Sequence, residues 1–133
     1  MIVRINSVVD IQYFLIKFNS AIIKILFILT IITVLSLWPL ANLPPVPGTD
    51  KTHHLIAYAG LMLPLALSEP KSLRFLVISL FFVGYSGVIE ILQPYINRYG
   101  EFQDLLANCA GLGCGWLIAQ IINHFFPTSS HLK

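Results

Sequence analysis

Four blocks of apolar residues, at 25–43, 55–67, 75–92 and 105–126, are separated by short polar stretches, and each is 13 residues or longer. A hydrocarbon core of about 30 Å takes about 20 residues of helix to cross, so three of these blocks are long enough by themselves and the second becomes so with the polar turn ahead of it. Composition agrees: 56% of the 133 residues are hydrophobic and 11% are charged, with mean hydropathy +0.80. A soluble domain carries about a quarter charged residues. The chain is read as a single all-α integral membrane domain of about four antiparallel transmembrane helices, for which the lipid bilayer is the solvent.

The first span is assigned to 25–43, with Trp38 and Pro39 near the membrane interface. Its basic flank also suits a signal peptide, but the exit Leu-Ala-Asn-Leu-Pro-Pro offers no small-x-small cleavage site. The second span is assigned to 50–67, with a bend expected at Pro64; the third to 75–92; the fourth to 105–126. Connections at 44–49, 68–74 and 93–103 are short, which makes neighbours antiparallel. Ahead of the first span, Asn6, Ser7, Asp10, Lys17, Ser20 and Lys24 share one broad arc of a helical wheel, so residues 1–24 are expected to form a cytoplasmic segment, either a helix lying on the inner surface or a partly disordered tail. Residues 25–126 then form the membrane domain and 127–133 a cytoplasmic tail.

Positive residues in short loops favour the cytoplasmic side. With the N-terminus inside, Arg4, Lys17, Lys24, Lys71, Arg74 and Lys133 are cytoplasmic and only Lys51 and Arg98 lie outside, six of eight against two. Both termini are therefore expected in the cytoplasm.

That topology gathers chemistry at one face. Asp50, Lys51, His53, His54 and Tyr58 lead into the second span, and Glu90, Gln93, Arg98, Glu101, Asp104 and Asn108 leave the third and lead into the fourth. Asp50, His54 and Tyr58 are spaced by four and share a helix face, as do Glu90 with Gln93 and Asp104 with Asn108. An acid inside a span costs about 2.5–3.5 kcal/mol on insertion scales, so Glu90 is expected to face protein, with Arg98 or Lys51 as its partner. His54 is suited to acid–base work or metal ligation, and His54, Glu90 and Asp104 form a conceivable divalent-metal set, although no metal-specific spacing is present and no cofactor is predicted. The competing reading is an ion-pair and hydrogen-bond network that only pins helices together.

Ala107, Gly111 and Gly115 recur at four-residue intervals on the fourth span, the small-xxx-small pattern of close helix packing, within the chain or between copies. Cys109 and Cys114 sit in an apolar block without the company a metal site needs, and read as small packing residues. A net charge of +2 with no basic–aromatic run argues against nucleic acid.

The series Asp50-Lys51-x-x-His54-x-x-x-Tyr58, Glu90-x-x-Gln93, Arg98 and Asp104-x-x-x-Asn108-x-x-Gly111 resembles the VanZ-like family of bacterial membrane proteins over about 50–115. The resemblance implies a protein of the bacterial cytoplasmic membrane whose namesake is associated with teicoplanin resistance. Glu101 stands where the family commonly has a small hydroxyl residue, which makes this face more acidic and puts a shared ligand in doubt. Three functions compete: a module that binds or modulates a cell-envelope component such as a lipid-linked precursor, a membrane-embedded enzyme with Glu90, Asp104 or His54 as base or metal ligand, and a scaffold subunit that assembles with other membrane proteins through the glycine seam and leaves the polar network structural. No Ser/His/Asp order or phosphate-binding glycine loop supports the second.

Overall fold

The computed structural model describes residues 8–39, 49–68 and 72–126. The chain is all-α. Helix α1 spans Val8–Leu37, α2 Asp50–Ser68, α3 Leu73–Leu92 and α4 Phe102–Phe125, with a 3-10 turn at Gln93–Ile96 directly after α3. Among the described residues three helices are long and apolar enough to cross a membrane: Ile11–Leu37, α3 with its 3-10 turn, and α4. The second helix is the exception because its first turn is Asp50-Lys51-Thr52-His53 and its apolar part is short. It compensates by burial, sending His54, Tyr58, Leu61, Met62, Leu65 and Ala66 into the centre of the bundle.

α1 departs from expectation. It is one helix through position 24, so no break separates an interfacial segment from a span. Its early polar residues are spaced widely enough for apolar ones to keep the helix continuous, and it ends at Leu37 because Pro39 disfavours helical geometry in the residue before it and lacks an N–H of its own. The expected end at position 43, most of the 44–49 connection, Glu69, Lys71, residues 1–7 and the 127–133 tail lie outside the described residues. α2 runs unbroken through Pro64. α4 starts three residues before the expected 105, since Asp104 serves its first turn, where acidic side chains suit the positive end of the helix dipole.

The glycines explain the packing. A Cβ on Gly111 would strike the Leu55 carbonyl oxygen, and one on Gly115 the Ala59 carbonyl oxygen. α4 thus lies backbone-to-backbone on α2, and these two form the most extensive helix pair. Buried Gly111, Gly115 and Ala119 form the seam, whereas Ala107 is only half-buried at its margin. The seam proposed for self-association is occupied within the chain.

α1 and α3 flank this pair. Thr33 of α1 is hydrogen-bonded to Tyr85 of α3, and the Arg74 guanidinium lies 5.3 Å from the Phe18 ring centroid. Ile25, Ile32, Phe82 and Leu112 complete the core around Tyr58, Leu61 and Leu65. Outward faces remain apolar: Ile23, Phe27, Leu80 and Ile121 are each more than half exposed. In water such a surface would aggregate; in lipid it needs no cover.

Candidate functional site

All the polar stripes meet at one end of the bundle, where α1 and α3 finish and α2 and α4 begin. Three local devices build that end. Thr49 starts α2, its carbonyl accepting from Thr52 N at 3.1 Å and His53 N at 3.2 Å. Pro94 stops α3, and Asn97, in the left-handed region at φ 59°, reverses the chain. Gly100 packs so closely on the Glu90 carbonyl that a Cβ there would collide with it, so the loop folds back over the end of α3. Glu101 N then donates to Glu90 Oε2 at 3.3 Å.

Two buried polar chains run through the cluster. In the first, Asn108 Nδ2 donates to Ser86 Oγ at 2.6 Å, which turns Asn108 Oδ1 toward His54 Nδ1 at 2.9 Å. Ser86 and Asn108 are 0% and 1% exposed. In the second, Arg98 Nη1 donates to the Leu35 carbonyl at 2.7 Å and the Trp38 carbonyl at 3.4 Å, while Gln93 Nε2 donates to Ser36 O at 3.3 Å. These are carbonyls that the last turn of α1 leaves without helical partners. Arg98 and Gln93 thereby fasten α1 to the α3–α4 loop.

The charges sort themselves across helices. Lys51 Nζ is 2.8 Å from Glu101 Oε2 and 3.6 Å from Asp104 Oδ1. Lys51 stands ahead of the apolar part of α2, and its ammonium donates to Glu101. Arg98 Nη2 lies 3.8 Å from Asp50 Oδ1. His54 is flanked on both ring nitrogens, with Asp50 Oδ1 3.9 Å from Nε2 and Glu90 Oε1 3.9 Å from Nδ1.

The expected pairing of Glu90 with Arg98 or Lys51 is therefore replaced. Arg98 is drawn to the α1 carbonyls and Asp50, Lys51 to Glu101 and Asp104, and Glu90 faces His54 and the Glu101 amide. Metal geometry is regrouped too: the atoms that converge within 4.8 Å belong to Asp50, His54 and Asp104, with Glu90 on the other edge of the imidazole. Tyr58 is buried beneath the cluster and its hydroxyl has no hydrogen-bond partner; Gln93 Oε1, Glu90 Oε1 and Asp104 Oδ1 are likewise unpartnered acceptors. His53 is half-buried beside it. Cys109 and Cys114 are free, half-buried thiols, and Cys109 lines an apolar cleft of about 220 Å³ with Met62, Val83 and Trp116.

Sequence reasoning missed two contributors. Ser86 lies one helical turn before Glu90, a spacing that could have pointed to it within an otherwise apolar span. The α1 carbonyls carry no side-chain signature; only Pro39 just beyond them hinted at an exposed helix end.

The fold and this end of it define a helical membrane protein with a buried, charge-rich cluster at one face. The VanZ/LLP1 family matches residues 4–123. The chain belongs to that family. No curated protein and no solved structure matches it.

Proposed function

We propose that this VanZ-like protein is a cell-envelope binding or modulating module of the bacterial cytoplasmic membrane, with its polar cluster at the extracytoplasmic face and both termini in the cytoplasm. The observation that carries the reading is the one-sidedness of the cluster: Asp50, Lys51, Glu90, Gln93, Arg98, Glu101 and Asp104 all lie where four helix ends and a loop meet. Acceptors left unpartnered there, on Glu90, Gln93 and Asp104, supply polar capacity beyond what the fold itself consumes. A lipid-linked precursor or a peptidoglycan stem presents amide donors and cations to match. Engaging such a component would alter access of a lipid-tailed glycopeptide such as teicoplanin at the membrane surface.

The deciding experiment expresses wild type, Glu90→Gln and Asp104→Ala at matched membrane levels in a bacterium lacking an outer membrane and measures teicoplanin and vancomycin susceptibility. Protection by wild type alone supports the reading. Equal protection by all three, or by none, defeats it.

A membrane-embedded enzyme is the second reading, favoured by His54, whose Nδ1 is engaged by Asn108 while Nε2 faces the Asp50 carboxylate. A base so oriented needs a substrate hydroxyl or water on the Nε2 side. Turnover of envelope lipids by the purified protein, lost in His54→Gln, is the result that would replace the binding reading with this one.

A further inference from the structure

The charge count at the polar end does not close. Asp50, Glu90, Glu101 and Asp104 are four carboxylates, and the permanent cations set among them are Lys51 and Arg98. Among the described residues two negative charges are left over with every acid ionised; Asp50 and Glu101 are half-exposed to solvent, but Asp104 is buried, and a buried charge without close compensation is expensive.

Three ligand-type atoms converge at one point, where Arg98 and Lys51 stand off at 3.8 Å from Asp50 and 3.6 Å from Asp104. A carboxylate oxygen of Asp50, one of Asp104 and a ring nitrogen of His54 lie within 4.8 Å of one another. Asp104 is 1% exposed, and its Oδ1 accepts no hydrogen bond; the ammonium of Lys51 stands off at 3.6 Å and makes its short contact with Glu101 instead. Asp50 and His54 are four residues apart on α2, a spacing that lets both side chains reach one ion from one helix face.

The histidine is prepared from its far side. Because the Asn108 amide nitrogen donates to Ser86, its oxygen accepts the Nδ1 proton of His54, which leaves the lone pair of a neutral imidazole on Nε2. In that tautomer the lone pair faces Asp50 Oδ1 at 3.9 Å. Glu90, 3.9 Å from Nδ1, reinforces the polarity of the ring. Metal-binding imidazoles are characteristically held this way, their other nitrogen donating to an amide or carboxylate that fixes the tautomer and raises basicity.

We infer that Asp50, His54 and Asp104 bind one divalent cation, His54 through Nε2 and the acids through carboxylate oxygens. A donor set of one imidazole and two carboxylates, with no thiolate, suits manganese, iron(II) or zinc. Ligand atoms around an ion at about 2.1 Å stand roughly 3 to 3.5 Å apart, so side-chain rotations of about an ångström close the site. Two positive charges cancel the excess, and Lys51, half-exposed, retains Glu101 as its partner. The site goes beyond the envelope-binding reading and stands or falls independently of which envelope component the protein engages.

The test uses the full chain purified in detergent and stripped with a chelator, titrated with Mn²⁺ followed by electron paramagnetic resonance and with Zn²⁺ by calorimetry. One ion is expected per chain, with a ¹⁴N coupling on Mn²⁺ that Asp104→Asn and Asp50→Asn both abolish by removing the ion. Asp50 is 54% exposed at its side chain, so Asp50→Asn should leave far-UV circular dichroism unchanged and lower the unfolding temperature only slightly, through its contact with Arg98. Asn108→Leu should weaken binding about tenfold, the loss typical of a partner behind a metal-bound histidine. Lys51→Ala removes a competing cation and should tighten binding, an outcome a damaged fold would not produce. Failure of both ions to bind, binding by the Asp50 and Asp104 variants equal to that of wild type, a Mn²⁺ signal without nitrogen coupling, or weaker binding by Lys51→Ala would each overturn the proposal.

Discussion

Arg98 shows how much of the polar end one side chain holds. Its guanidinium is 7% exposed and reaches the last carbonyls of α1 and the first acid of α2 together. A cation also suits the negative end of the α1 dipole. Hydrogen bonds to charged groups are worth about 1.5–3 kcal/mol, so Arg98→Ala is expected to destabilise the protein by about 2 kcal/mol, measured by unfolding in detergent. Lysine keeps the charge but not the planar fork, and Arg98→Lys should recover only part of that loss. Ser86 and Asn108 form the complementary pair on the other side of the cluster. A double-mutant cycle with alanine at each should return a coupling of about 0.6 kcal/mol, the average for polar pairs between membrane helices. Coupling near zero would mean that the Ser86 contact does not orient Asn108, and the His54 tautomer argument would lose its anchor.

At the scale of helices, the glycine positions on α4 have opposite roles according to the face they occupy. Gly111 and Gly115 stand where a Cβ meets backbone oxygen of α2, whereas Gly113 has open space around its virtual Cβ. Gly115→Val should push α4 off α2 and, since overpacking usually costs about 1–3 kcal/mol, lower the unfolding temperature clearly. Gly113→Ala should raise stability by up to about 1 kcal/mol through helix propensity alone. Unfolding both variants beside wild type checks the seam directly. The repeat of small residues was legible in the sequence because its spacing equals the helix repeat, but its partner was not, since nothing in α4 says which helix lies opposite. The same limit applied to the cluster. The stripes Asp50-His54-Tyr58 and Asp104-Asn108 were readable from spacing, and their convergence followed from antiparallel spans. Who pairs with whom depended on the loop fold set by Asn97 and Gly100, which directs Arg98 toward α1 and leaves Glu90 to His54. The length of α1 was misjudged for a related reason: widely spaced polar residues suggested a separate surface helix, while helix continuity is decided by backbone geometry, which only Pro39 interrupts.

For the whole molecule, the consequence of this arrangement is a fixed polarity across the membrane. Tyr95, Tyr99 and Phe102 are 83%, 81% and 72% exposed around the polar end, an aromatic collar of the kind that settles at headgroups. Ser72 caps the start of α3 at the opposite end, its hydroxyl accepting from Phe75 N at 3.0 Å. The excess of Lys and Arg on that side, Lys17, Lys24 and Arg74 among them, predicts that it faces the cytoplasm. With Cys109 and Cys114 first replaced by alanine, Tyr99→Cys should react with a membrane-impermeant maleimide in intact cells lacking an outer membrane. Lys17→Cys, about 30 Å down α1 from Leu37, should react only after the membrane is opened. Labelling of both from outside would place α1 along the surface rather than across it, and labelling in the reverse order would put the polar cluster in the cytoplasm, out of reach of the envelope components proposed for it.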